Sequence, residues 1–459
     1  MKNEIIKLIK KKSFYIVTLV FVLFCILTNI VYKTPMTIYD TDEVNIQDLY
    51  DENQSLNLDD AQDLLIYVEN LTTIKMEELK DQYPDSTSKY LIDHFLYSTI
   101  YQFFESEYIL EDNDLANFYS VQLDEEKRHV ENQDWQYFLK ERIQYLEERN
   151  KNTIGVEQLR YSKLLELANY RLDEQVAYDP NNFLHQSLVF LEENTFEYLN
   201  LLNDENLTAA EEERLTYLKE EMSIHEYVLD TKQDVLNDHN LRAVLINFPQ
   251  EFGLFILIYV IMIAGSIVSE EYSRGTIKYL LTKPFKRSTI LTSKLLAIIF
   301  AIPLIMLFMS IVEIGIGGVI LGFDSLSIPM VFYTQNAIET SGVLSYLASL
   351  LASSLPMYFL IGIFAFMIST LTLSTSAAIT ISFLFYLVAN VISNLALVYH
   401  FPIFKAFLSL YWDFSYLITF DSQPYGASMG LSCVVMLVYL IVMLCITYVT
   451  FMKKDVKNI

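Results

Sequence analysis

Six stretches of the chain are apolar almost without interruption: Phe14–Tyr32, Phe248–Val268, Ser293–Leu321, Val343–Leu371, Thr375–His400 and Ala427–Met452. A hydrocarbon core about 30 Å thick needs about 20 apolar residues in a helix, so each stretch is predicted to span a bilayer. Between the first and second the pattern changes. Apolar residues recur there at helical spacing among charged ones, as in Leu91, Phe95, Ile100 and Phe103, in Val130, Phe138, Ile143 and Leu146, and in Leu215, Leu218, Met222 and Leu229. Thr208 and Glu211 have the spacing of a capping box, and turns are marked at Tyr83-Pro84-Asp85 and Asp179-Pro180. The last of these helices is expected to run almost directly into Phe248-Pro249, as a stiff link. The pattern predicts an all-α membrane protein: six transmembrane helices plus a helical extracytoplasmic domain inserted between the first and second.

Charge divides the 459 residues in the same way. The net charge is −25. Residues 33–247 hold 47 acidic against 17 basic side chains, a balance of −30, and the remainder holds 10 against 15, a balance of +5. The expected organisation is therefore 1–32, an interfacial helix around Ile5–Ile9 and the first span; 33–247, an acidic helical domain; and 248–459, five further spans. Lys and Arg accumulate on the cytoplasmic side of short membrane loops. Lys2 to Lys12, the joint between the second and third spans, and Lys453, Lys454 and Lys457 carry this excess. Both termini are thus expected inside a cell membrane and 33–247 outside. The loop Gly322–Gly342, which has Asp324 and Glu339 but no Lys or Arg, fits the outer side. Phe401–Tyr425 is too apolar for an ordinary loop; a helix lying at or dipping into the outer leaflet and a hydrophobic surface loop both fit it.

The basic amino terminus imitates a secretory signal, but its apolar run of 19 residues exceeds the usual length of about 7–15, and no small-residue cleavage site follows. A retained anchor is expected. Cys25, Cys433 and Cys445 all lie in apolar runs, which excludes a disulfide framework in the acidic domain. The chain has no phosphate loop, no H-E-x-x-H and no C-x-x-C, and its six histidines are scattered. Nothing points to catalysis, a bound cofactor, a metal or nucleic acid. Any energy for work must come from another chain or an ion gradient.

The joint SIVSEEYSRGTIKYLLTKPFKRSTILTSKLL, with a cytoplasmic loop expected over 269–293, is the most informative segment. It carries six basic residues against Glu270 and Glu271. Gly275 allows a bend, Ile277, Leu280 and Leu281 form a short apolar face beside Lys278, and Pro284 ends the helix. An amphipathic helix parallel to the membrane could pass a push from a cytosolic partner into both spans. A charged loop that only enforces topology would carry the same residues.

This segment resembles the cytoplasmic loop of the type-2 membrane subunits of ABC transporters: an acidic pair, an aromatic, a basic residue, Gly-Thr, a hydrophobic stretch, and a Pro followed by Arg and a Lys-Leu-Leu-Ala sequence. Glu270, Glu271, Tyr272, Arg274, Gly275, Thr276, Leu280, Leu281, Pro284, Arg287, Lys294, Leu295, Leu296 and Ala297 occupy those positions. The resemblance implies a permease subunit with a large domain between its first two spans, coupled to a separate cytosolic ATPase subunit that binds the ATP. It further implies pairing with a second permease, identical or related. It assigns ATPase coupling to Glu270, Glu271, Arg274, Gly275, Thr276, Lys278, Pro284 and Arg287.

Polar residues within the spans give a second set. Glu313 lies 19 residues after Lys294, about 28 Å along a helix, towards the outer boundary. Glu251, Asn390 and Asn394 also lie outward, so these four could line an outer vestibule; simple interfacial solvation is the alternative. Ser345, Ser349 and Ser353 form a small-residue stripe suited to close helix packing. Export of a peptide or an amphipathic, lipid-like cargo is the expected activity. The alternative from another class is a ligand-sensing surface protein without transport. An intramembrane enzyme would need clustered catalytic side chains, and a gradient-driven carrier would need midplane ionisable residues.

Overall fold

A computed structural model of the chain describes residues 11–34, 45–58, 60–204, 206–277, 286–334, 337–399, 407–415 and 428–453. The expected interfacial helix around Ile5–Ile9, Lys278, Leu280, Leu281, Pro284, Lys454, Lys457 and most of 401–426 lie outside the described residues. Among the described residues, six helices are long and apolar enough to cross a membrane. They are α1 (Lys12–Lys33), α12 (Phe248–Ser266), α14 (Arg287–Leu321), α15 (Val343–Thr372), α16 (Thr375–Tyr399) and α17 (Met429–Lys453). They coincide with the six predicted spans to within a few residues.

Internal contacts divide the chain into two units. One comprises Met1–Met36, Asn237–Met330 and Ser341–Ile459; the other comprises Thr37–Leu236 and Val331–Thr340. In the first, α12 is the central helix, buried along most of its length, and packs on α15, α16 and α14. Helices approach closely where a side chain is missing. A Cβ on Gly362 would stand 3.1 Å from Ile302 and 3.2 Å from Val260, and one on Gly253 would stand 3.0 Å from the Tyr358 hydroxyl. Helix α1 has two faces. Phe21, Cys25, Thr28 and Asn29, spaced three to four apart, are buried and pack towards α14, while Leu19, Leu23, Leu27 and Val31 are exposed. That exposed apolar row is what a membrane helix shows to hydrocarbon.

The described part of the predicted outer-leaflet segment, 407–415, forms a 3-10 turn at Leu408–Leu410 and buries Trp412 against the helices. Phe414 N donates to Ser353 O at 3.3 Å, close to Pro356, where a helix lacks one backbone donor.

The polar unit is built from α2 (Ile46–Ser55), α3 (Ala61–Gln82), α4 (Ser86–Leu91), a π turn (Ile92–Leu96), α5 (Tyr97–Tyr108), α6 (Asn113–Glu131), α7 (Trp135–Asn152), α8 (Val156–Asp173), α9 (Phe183–Asn203) and α10 (Ala209–Thr231). Consecutive helices pack as hairpins around Leu91, Ile100, Val130, Phe138 and Leu146, with a second cluster of Leu188, Leu191, Met222 and Leu229. The caps follow the sequence. Asp85 accepts from Ser88 N at 2.8 Å and Asn182 from Leu184 N at 2.9 Å, and the capping box at Thr208 and Glu211 is formed.

One expectation is corrected. The last polar helix does not run into the second span: α10 ends at Thr231, Lys232 turns left-handed at φ 54°, and a separate short helix, α11 (Leu241–Ile246), precedes α12. The loop Gly322–Gly342 contains a hairpin. Its MVFYT run, rich in aromatic and β-branched residues, forms β1 (Met330–Thr334), paired with β2 (Ala337–Ser341).

Candidate coupling site

Helix α12 ends at Ser266, and the chain turns through Ile267 and Val268 into the short helix α13 (Ser269–Ser273). Ser269 is wholly buried and ties this turn to two other spans. Its backbone N–H donates to Ser369 Oγ of α15 (3.1 Å), and its hydroxyl lies 2.9 Å from Thr375 Oγ1 at the start of α16. Tyr272 and Ile277 are buried in the same apolar cluster, so the joint is seated on the helices rather than hanging from them.

The acidic pair splits its work. Glu271 Oε1 meets Lys294 Nζ of α14 at 2.8 Å, with the lysine side chain 2% exposed and the glutamate 10%. The same ammonium donates to Ile267 O at 2.9 Å. Lys294 therefore ties α14 to both the end of α12 and the joint. A buried ion pair of this kind is costly to break, because removing one partner leaves an uncompensated charge in a low-dielectric site. Glu270 instead is partly buried, with 23% of its side chain exposed. It pairs with Lys11, which also donates to Ser266 Oγ at 2.8 Å, and with Arg274 at 2.5 Å one turn along. Arg274 keeps 69% of its side chain exposed. Ser273 and Thr276 beside it are exposed too, which gives the joint a small polar face.

Gly275 follows with φ +68°, a conformation that L side chains rarely adopt. A Cβ there would meet nothing within 4 Å, so backbone conformation, not space, demands glycine. Thr276 Oγ1 closes the turn by donating to Glu271 O at 3.3 Å. Arg287, at the start of α14, donates to Met452 O of α17 at 3.3 Å. Of the eight residues expected to couple, Glu270, Glu271, Arg274, Gly275 and Thr276 form one compact turn. Arg287 stands at the far side of the joint, and Lys278 and Pro284 fall outside the described residues. Sequence reasoning missed the roles of Lys11, Ser269 and Ser369. Lys294 was noted as part of a motif without its partner; the acid-base complementarity across the hairpin was its only signal.

The four residues proposed for an outer vestibule do not form a cluster of polar contacts. Glu313 is 0% exposed, between α14 and α1, and accepts from Asn29 Nδ2 at 2.6 Å. That amide also donates to Cys25 O at 2.8 Å. Glu313 is thus sequestered in protein rather than solvated at an interface. Glu251 is half-buried in the first turn of α12; on α16 Asn390 is half-buried and Asn394 exposed. No hydrogen bond or ion pair among the described residues joins Glu313 to these three.

Residues 1–456 match the family described as ABC-2 family transporter protein. The chain is also 26% identical over 271 residues to YhcI of Bacillus subtilis (strain 168), a protein described as uncharacterized; the match covers 55% of this chain and 84% of that one. No solved structure matches significantly. A family match across nearly the full length, on a chain with six bilayer-length helices, places this multi-pass membrane protein in the ABC-2 transporter family, as the membrane subunit of an ABC transporter.

Proposed function

We propose that this permease works in an ATP-driven exporter and that a separate cytosolic ATPase subunit docks on the exposed face formed by Ser273, Arg274 and Thr276. The observation that carries the reading is the buried Glu271–Lys294 pair together with Ser269. These three link one short turn to α12, α14, α15 and α16. Force applied to the turn would reach four spans through ion-pair and hydrogen-bond contacts, without relying on the loop's own stiffness. The orientation rests on the excess of Lys and Arg in the joint and at the amino terminus, which favours the cytoplasmic side. The acidic unit would then lie outside the cell membrane, between the first and second spans. A second permease, identical or related, would complete the path between two membrane halves.

The cargo class supported best is a peptide or an amphipathic, lipid-like molecule moved outward. A field of 30 excess negative charges raises the local concentration of cationic ligands, though only within a Debye length of about 8 Å at physiological salt. Affinity purification from native membranes tests the partner. An ATPase subunit should accompany the wild-type chain and be lost from an Arg274→Glu variant that still folds. Retention of the same ATPase by that variant, or no nucleotide-binding partner with the wild type, removes the proposal. Cysteine accessibility at Ser273 tests the side independently.

A further inference from the structure

Helix α9 carries a groove of about 440 Å³ along one face, lined by His185, Gln186, Val189, Phe190 and Glu193, with Tyr90 of α4 as a side wall. The volume is within the range of about 300–1,000 Å³ typical of ligand sites. The five α9 positions lie within nine residues, about 12 Å of helix from first to last. That is enough for three or four residues of an extended chain.

The groove has a constructed floor. His185 is 2% exposed, and its Nδ1 accepts from Arg171 Nη1 at 2.9 Å. Arg171 cannot give up its proton, so Nδ1 must be the acceptor and the ring carries its proton on Nε2. Nε2 has no hydrogen-bond partner among the described residues, and the ring lines the groove. Arg171 is itself wholly buried, stacked 4.1 Å over Tyr178 and 3.9 Å from Glu192, which fixes its orientation. Desolvation, and then Arg171, push the His185 pKa down to about 4, so the neutral donor persists at physiological pH. The middle of the groove is apolar. Phe190 has one ring face stacked on His225 at 4.1 Å, and Val189 lies one residue before it. At the far end Glu193 is exposed, and no ion pair engages it among the described residues.

We propose that this groove binds a short extended peptide segment, apolar in its middle and basic at one end. A backbone carbonyl of the peptide accepts from His185 Nε2–H. Its apolar side chains lie against Val189, Phe190 and Tyr90, and its basic side chain pairs with Glu193. The floor supplies a donor, the walls apolar area and the rim a carboxylate; an anionic ligand would meet Glu193 within a unit that is already strongly acidic. The inference is independent of the ATPase-coupling proposal, since binding needs neither nucleotide nor partner.

The test uses the purified full-length protein in nanodiscs and calorimetric titration at two salt concentrations. The probes are a capped tetrapeptide of two leucines flanked by lysines and its glutamate-flanked counterpart. The expected result is saturable binding of the lysine peptide only, weakened at least tenfold by Glu193→Lys and changed less than twofold by Glu157→Lys, an exposed carboxylate on α8. Glu193→Lys should also admit the glutamate peptide. Absence of binding, equal binding of both peptides by the wild type, or equal losses from the two substitutions overturns the proposal; the last would show only the general field of the acidic surface. Unchanged melting of the Glu193 variant distinguishes lost contact from lost folding.

Discussion

Lys294 on the third span and Glu271 in the joint after the second hold each other at 2.8 Å, nearly excluded from solvent. Their separation of 23 residues spans a hairpin, so the pair fixes the register between the end of α12 and the start of α14.

Replacing Lys294 by Met should cost about 3–5 kcal/mol, because Glu271 loses its opposite charge inside the protein. A Glu271→Gln, Lys294→Met double variant should recover most of that loss. Thermal unfolding of the four proteins in detergent measures the coupling as a double-mutant cycle. Additive single effects would mean that the two groups do not share one site.

Arg274→Glu should separate stability from coupling. Its side chain is mostly exposed, so loss of the local pair with Glu270 should change stability by no more than about 1 kcal/mol. Cargo-stimulated ATP hydrolysis by the reconstituted complex should fall at least tenfold. A fall in Tm matching the fall in activity would show that the residue acts through folding instead.

The Asn29–Glu313 pair should behave as a packing element. Glu313→Gln keeps an acceptor for the Asn29 amide and should be mild. Glu313→Ala should cost about 1–3 kcal/mol by leaving buried polar groups without their partner. Gly317→Ala should be similarly damaging, since a Cβ would lie 2.6 Å from Leu241 Cδ1 and 2.7 Å from Asn29 Oδ1. Expression and Tm of the three variants check this order.

Low pH should weaken the polar unit. Burial holds the His185 and His225 pKa values at about 4, against 6.5 for a free imidazole. Between these values the unfolded chain binds more protons than the folded one. The stability from these two groups is fully present above pH about 6.5 and is lost as pH falls towards 4. Glu126, raised by burial, acts in the opposite sense. Amide exchange at pH 7 and pH 5 should show faster opening of α9 and α10 at the lower value, and His225→Phe should reduce the difference.

The six spans were legible in the sequence because a bilayer imposes a length and a composition that few other environments require. The polar helices between the first two spans were legible for a similar reason: apolar residues at helical spacing, with a capping box at Thr208 and Glu211, can bury a face in only one way. Gly275 was readable as a bend, since its left-handed φ is a local property. The joint's residues Glu270 to Thr276 could be picked out, but not which of them were spoken for.

Partner choice was decided only in three dimensions. Whether Lys294 meets Glu271, Lys11 meets Glu270, or Asn29 meets Glu313 depends on how each helix is rotated about its axis and how far it slides past its neighbour. Neither quantity is written in a helix's own periodicity when nearly every position is apolar. The same holds for the groove on α9, whose floor needs Arg171 from α8 and whose wall needs Tyr90 from α4. Sequence alone determined which segments enter the membrane and where charge gathers, because those follow from transfer free energies of single segments. Tertiary packing decided which charges are buried together and which face outward, because those follow from the simultaneous fit of several helices.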